Sequence, residues 1–117
     1  MPFYRRFDKL PDKSTTVETA VLDLKETYAP DKSFEMAKDV AAFANHLGGT
    51  LLIGAKEVDG KIGEYNGVPP ELAEKIRTGF SLATKERCSP RPIYDFSPPY
   101  PAPGDPTKEV FAVFVEP

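Results

Sequence analysis

The chain has 117 residues, 40% of them hydrophobic and 28% charged, a balance that predicts one folded domain and excludes a disordered or fibrous polymer. Its formal net charge of −3 excludes a globally basic protein, so contact with a polyanion has to come from local clusters of its 15 basic residues. No apolar run approaches the ~20 residues of a membrane-spanning helix, no apolar segment follows Arg5 and Arg6 to make a secretory leader, and a single cysteine, Cys88, cannot close an internal disulfide. The expectation is a cytoplasmic domain with no membrane contact.

Residues 1–17 are polar and aperiodic, with Pro11 among them, and read as an N-terminal arm; the domain proper is placed at 18–117. Leu22 and Leu24 alternate with Asp23 and Lys25, the period-two pattern of a half-buried strand that has to end by Ala29-Pro30. Asp31 or Ser33 then caps a helix in which Ala37, Val40, Ala41, Ala44 and Leu47 recur at helical spacing. Met36 and Phe43 widen its apolar stripe, and Lys38, Asp39, Asn45 and His46 form its polar side. Gly48-Gly49 stops it, because glycine accepts a left-handed end at little steric cost.

Thr50–Ile53 is unbroken apolar sequence and predicts a strand buried on both faces. Asp59-Gly60 is a type I′ turn signal, with the return strand starting at Lys61-Ile62. Pro70 marks a helix start, and Leu72, Ala73, Ile76, Phe80 and Ala83 predict its inner face, with Glu71, Glu74, Lys75 and Arg77 opposite. Ile93–Phe96 reads as an edge strand, 97–106 as a proline-rich loop, and Val110–Val115 as a central strand. The sum is an α+β fold: a single domain with a mixed β-sheet and two helices packed on one face.

The segment from Phe43 to Gly54, with its Phe-Ala-Asn, Gly-Gly and Leu-Leu-Ile-Gly pieces, resembles the Schlafen/AlbA-like domain. An upstream motif fits the same family: Glu18, then Leu22-Asp23-Leu24-Lys25. The resemblance spans roughly residues 18–116 and implies a nucleic-acid-binding module, with DNA or RNA as partner. Relatives with catalytic activity build a cleft from two lobes, so the resemblance also implies a homodimer in which a second copy supplies the other lobe. Divergent ATPase activity, once ascribed to part of the family, has no phosphate loop here to support it.

Some Schlafen proteins cut RNA with a metal-dependent acidic triad. Matched to the motif, its members are Glu18, Asp23 and Glu57, with Mg²⁺ or Mn²⁺ as the implied cofactor held by those same acids. The match departs at two places: aspartate stands where the second acid is usually glutamate, and Lys56 takes one of two acidic places after Gly54. On an uninterrupted strand Glu18 and Asp23 point to opposite faces, so a turn between them is required for shared use of a metal. The triad therefore reads as degraded.

Binding asks for less. Lys25, Lys38 and Lys56 are the expected positive stripe, Arg5 and Arg6 a basic arm, and His46 a phosphate contact, each also readable as an ordinary solvated side chain. Three functions follow: nucleic-acid binding without required cofactor, a metal-dependent endoribonuclease, or a protein-interaction module using the edge strand or Pro98-Pro99-Tyr100-Pro101.

Overall fold

The computed structural model describes residues 7, 9–13, 16, 19–28 and 33–117. In chain order the elements are β1 (Leu22–Lys25), α1 (Ser33–Ala44), β2 (Gly49–Ile53), β3 (Lys56–Val58), β4 (Lys61–Glu64), α2 (Pro70–Arg87), β5 (Tyr94–Phe96), β6 (Tyr100–Ala102) and β7 (Asp105–Val115). The main sheet runs β1-β2-β7-β5, with β6 also on β7. β1 and β2 are parallel, as a crossover through α1 requires, and every pairing to β7 is antiparallel.

Both faces of this sheet are covered. Leu51 and Ile53 of β2, with Phe111, Val113 and Val115 of β7, meet Met36 and Val40 of α1 and Ile76 and Phe80 of α2. Both helices thus lie on one face, as the sequence predicts. The opposite residues, Leu24, Leu52, Ala112 and Phe114, pack with Ile62 and Tyr65, and with Phe7 and Leu10. The Phe7 ring meets Phe114 edge-on at 5.3 Å, and the Tyr65 hydroxyl donates to the carbonyl of Pro11 at 2.6 Å. Double coverage explains why β2 is apolar without alternation.

The Gly-Gly stop works through two separate effects. Gly48 takes φ 76° and its N–H donates to the Phe43 carbonyl at 2.8 Å, closing the helix end. At Gly49 the cause is contact: a Cβ there would fall 2.2 Å from Cδ1 of Phe43, whose ring lies against the first residue of β2. Leu47, expected in the apolar stripe, is instead 49% exposed, because the helix has already ended at Ala44 and Leu47 sits in the turn.

The I′ turn is present, with Asp59 at φ 53° and Gly60 at φ 78°, but β3 and β4 form a separate two-stranded sheet. The segment 97–106 is only partly a loop. Tyr100–Ala102 pairs with the first half of β7, whose eleven residues reach back to Asp105. Proline is tolerated there because β6 is paired on one side only.

Candidate nucleic-acid interface

Asp23 and Lys25 project from β1 toward the helix side of the sheet, since Leu22 and Leu24 point into the opposite core. There Lys25 Nζ stands 3.4 Å from Asp23 Oδ2 and 3.8 Å from Asp39 Oδ2 of α1, and 5.8 Å above the Tyr28 ring. The Tyr28 hydroxyl donates to Asp39. Burial first, and then the hydrogen bond and the charge of Asp39, hold the phenol far above its ordinary pKa, so it stays a proton donor. Lys25, an expected phosphate contact, is therefore bound to two carboxylates of its own chain.

Among the acids, Glu18 lies outside the described residues, as do Arg5 and Arg6. A turn does follow Glu18: Thr19 and Leu22 bridge, with Thr19 N donating to Leu22 O at 3.1 Å and Val21 N to Thr19 Oγ1 at 3.1 Å. Glu57 is exposed on β3 and its Oε1 accepts from Gly60 N at 3.3 Å within its own hairpin. Among the described residues no three His, Cys, Asp or Glu side chains converge to hold a metal, and beside Asp23 the cation is Lys25.

Lys56 is exposed on β3, one residue from Ala55, whose N–H donates to the Lys25 carbonyl at 3.2 Å. His46 is exposed in the turn after α1, its N–H donating to Phe43 O at 3.1 Å.

Lys38 belongs to a different place. Lys38 and Ala41 lie on one face of α1, and Asn45, the residue after the helix, continues that face, its N–H donating to the Ala41 carbonyl at 2.9 Å. That face lines a cleft of about 800 Å³ whose other wall is the C-terminal end of α2 and the chain after it. Arg87 and Arg91 stand on that wall, together with Glu86, and Glu116 follows β7 into the same cleft. Lys38 and Arg91 make no ion pair among the described residues, while Ile93 at the cleft is 69% exposed. Cys88 is half-buried here, its Sγ 3.8 Å from the Ala37 carbonyl.

Arg87 and Arg91 were not among the residues singled out from sequence. The available signal was the run Lys85–Arg91, in which three cations flank a helix end. Arg77, expected on the polar side of α2, is instead held inward: its Nη2 is 3.1 Å from Glu109 Oε1 and its guanidinium 4.9 Å from the Phe111 ring.

A mixed sheet with two helices on one face, joined by a helix, Gly-Gly and buried-strand unit, defines a small α+β domain. The family model described as Schlafen, AlbA_2 matches residues 18–117, and the chain belongs to that family. The match supports a nucleic-acid-related domain at the family level. No curated protein matched the chain. Among the described residues no helix is long and apolar enough to cross a membrane.

Proposed function

We propose that the chain binds DNA or RNA, without cleaving it, through the cleft between α1 and the C-terminal end of α2. The observation that carries this reading is that Lys38 and Asn45 share one cleft with Arg87 and Arg91. Lysine offers a point charge and arginine a planar fork of donors, both suited to phosphate oxygens. An acidic total charge of −3 repels a polyanion elsewhere, so a local group of cations governs where it lands. Pairing of two copies along one polymer belongs to the same reading, and a monomer by light scattering on a saturating oligonucleotide removes that part.

The test is fluorescence anisotropy with a labelled oligonucleotide across a salt series. Affinity is expected to fall steeply with salt, by about 0.7 log units per tenfold rise in salt for each phosphate neutralised on a single strand. Lys38→Ala and Arg91→Ala should each weaken binding and flatten that slope. Salt-insensitive binding, or none to any polynucleotide, overturns the proposal.

A further inference from the structure

The geometry points to an unpaired stretch of nucleotides as the cleft's ligand, in preference to a duplex; this rests on the nucleic-acid reading above. We infer it from three properties of the cleft that duplex binding would leave unused.

The first is concavity. A cleft of about 800 Å³ has the volume of a pocket for a small organic ligand. A duplex presents its phosphates on a convex surface and keeps its bases stacked inside, so it can place only its backbone at the rim. A single strand can turn a base into the space.

The second is mixed charge. Glu86 and Glu116 stand in the same cleft as Lys38, Arg87 and Arg91. Beside a uniformly anionic duplex backbone those carboxylates repel. Beside an unpaired base they accept hydrogen bonds from the exocyclic amino group of cytosine, while the Asn45 amide suits the edge of adenine. The side chains thus provide donors for phosphate and acceptors for base amines, the combination that a nucleotide with its base exposed would use.

The third is the apolar wall. Ile93 is the most exposed of the large hydrophobic side chains described, and Pro90 and Pro92, just before it in the chain, also line the cleft. The Ile93 carbonyl accepts from Glu116 N at 2.9 Å, while its side chain stays 69% exposed among the described residues. A base face laid on this wall removes apolar surface from water on both sides, and a duplex backbone does not.

The test compares a labelled non-self-complementary oligonucleotide with the duplex formed from it, as DNA and as RNA, at one salt concentration. The single strand is expected to bind roughly tenfold or more tightly than the duplex, in line with what a few base contacts contribute. Ile93→Ser should reduce that ratio toward one and leave duplex affinity within about twofold, since the phosphate contacts remain. Ile93 is exposed, and a melting curve verifies that the variant is folded. Equal or tighter duplex binding overturns the inference and leaves the nucleic-acid reading standing. So does a single-strand preference that survives both Ile93→Ser and the double change Glu86→Gln with Glu116→Gln. Absence of binding to every polymer removes the parent reading and this one with it.

Discussion

The phenol of Tyr28, three residues beyond β1, donates its proton to the carboxylate of Asp39 on α1, and so ties the segment leaving the sheet edge to the helix beside it. Tyr28 is 5% exposed and its ring meets Phe80 of α2 edge-on at 5.3 Å, so one side chain touches three elements. Tyr28→Phe keeps the ring and removes the donor, and should lower stability by about 1 kcal/mol in urea unfolding. The pH dependence has a definite sign. The folded phenol holds its proton well above the ordinary value of 10.0, chiefly through burial and then through Asp39. The contribution is complete below that value, and it is lost as pH rises beyond it, because the unfolded chain gives up a proton that the folded chain keeps. Stability measured at about pH 8 and about pH 11 should fall more in the parent protein than in Tyr28→Phe.

Gly49→Ala should be costly for a reason unrelated to backbone freedom. The new methyl group would overlap the Phe43 ring, whose Cγ, Cδ1 and Cε1 all lie within 2.5 Å of it. Overpacking of this kind costs about 1–3 kcal/mol. Phe43→Leu combined with Gly49→Ala should recover part of the loss, and a double-mutant cycle by chemical denaturation measures the coupling. Additive effects would show that the two residues do not constrain each other.

Arg77 and Glu109 join α2 to β7 by a pair that is mostly out of water, with exposures of 21% and 16%. Glu109 is fixed on both backbone sides by Val68, each N–H donating to the other's carbonyl at 2.9 Å. Arg77→Met leaves that carboxylate facing an apolar chain and should destabilise by about 1–3 kcal/mol, less than a fully buried pair because some solvent remains. Arg77→Met with Glu109→Gln should be milder than Arg77→Met alone, as measured by thermal unfolding.

The two lysines first grouped together should behave differently. Lys25 has its charge taken up by Asp23 and Asp39, whereas Lys38 makes no ion pair among the described residues. Lys25→Ala is expected to change polynucleotide affinity by less than about twofold, while Lys38→Glu lowers it by roughly tenfold, through loss of a phosphate contact and added repulsion. The reverse order in an anisotropy titration would move the interface from α1–α2 to the β1 edge.

Much of the architecture was legible because it is written in local rules. The apolar period of α2, Pro70 at its start, the left-handed Asp59-Gly60 pair and the unbroken run in β7 each specify conformation within a few residues. The errors arose where partners far apart in the chain decide the outcome. Tyr100–Ala102 is proline-bearing and reads as loop, yet β7 offers it an edge to pair with. Arg77 carries a charge and reads as surface, yet Glu109 and Phe111 draw it inward. Of the residues in the candidate cleft, the sequence singles out Lys38 for binding, whereas Asn45 reads as a helix-end residue and Arg91 joins them only through the packing of α2 on α1.

β7 pairs with β2, β5 and β6, and all three precede it in sequence. During synthesis, then, the core strand of the fold is made after every other element of this domain. Until then β1 and β2 can pair, β3 and β4 can form their hairpin and α1 can meet α2, but β2 lacks its second neighbour and both helices lack the β7 face they close upon. Folding of this domain is accordingly expected to be a concerted event, slow for its size because its decisive contacts are long-range.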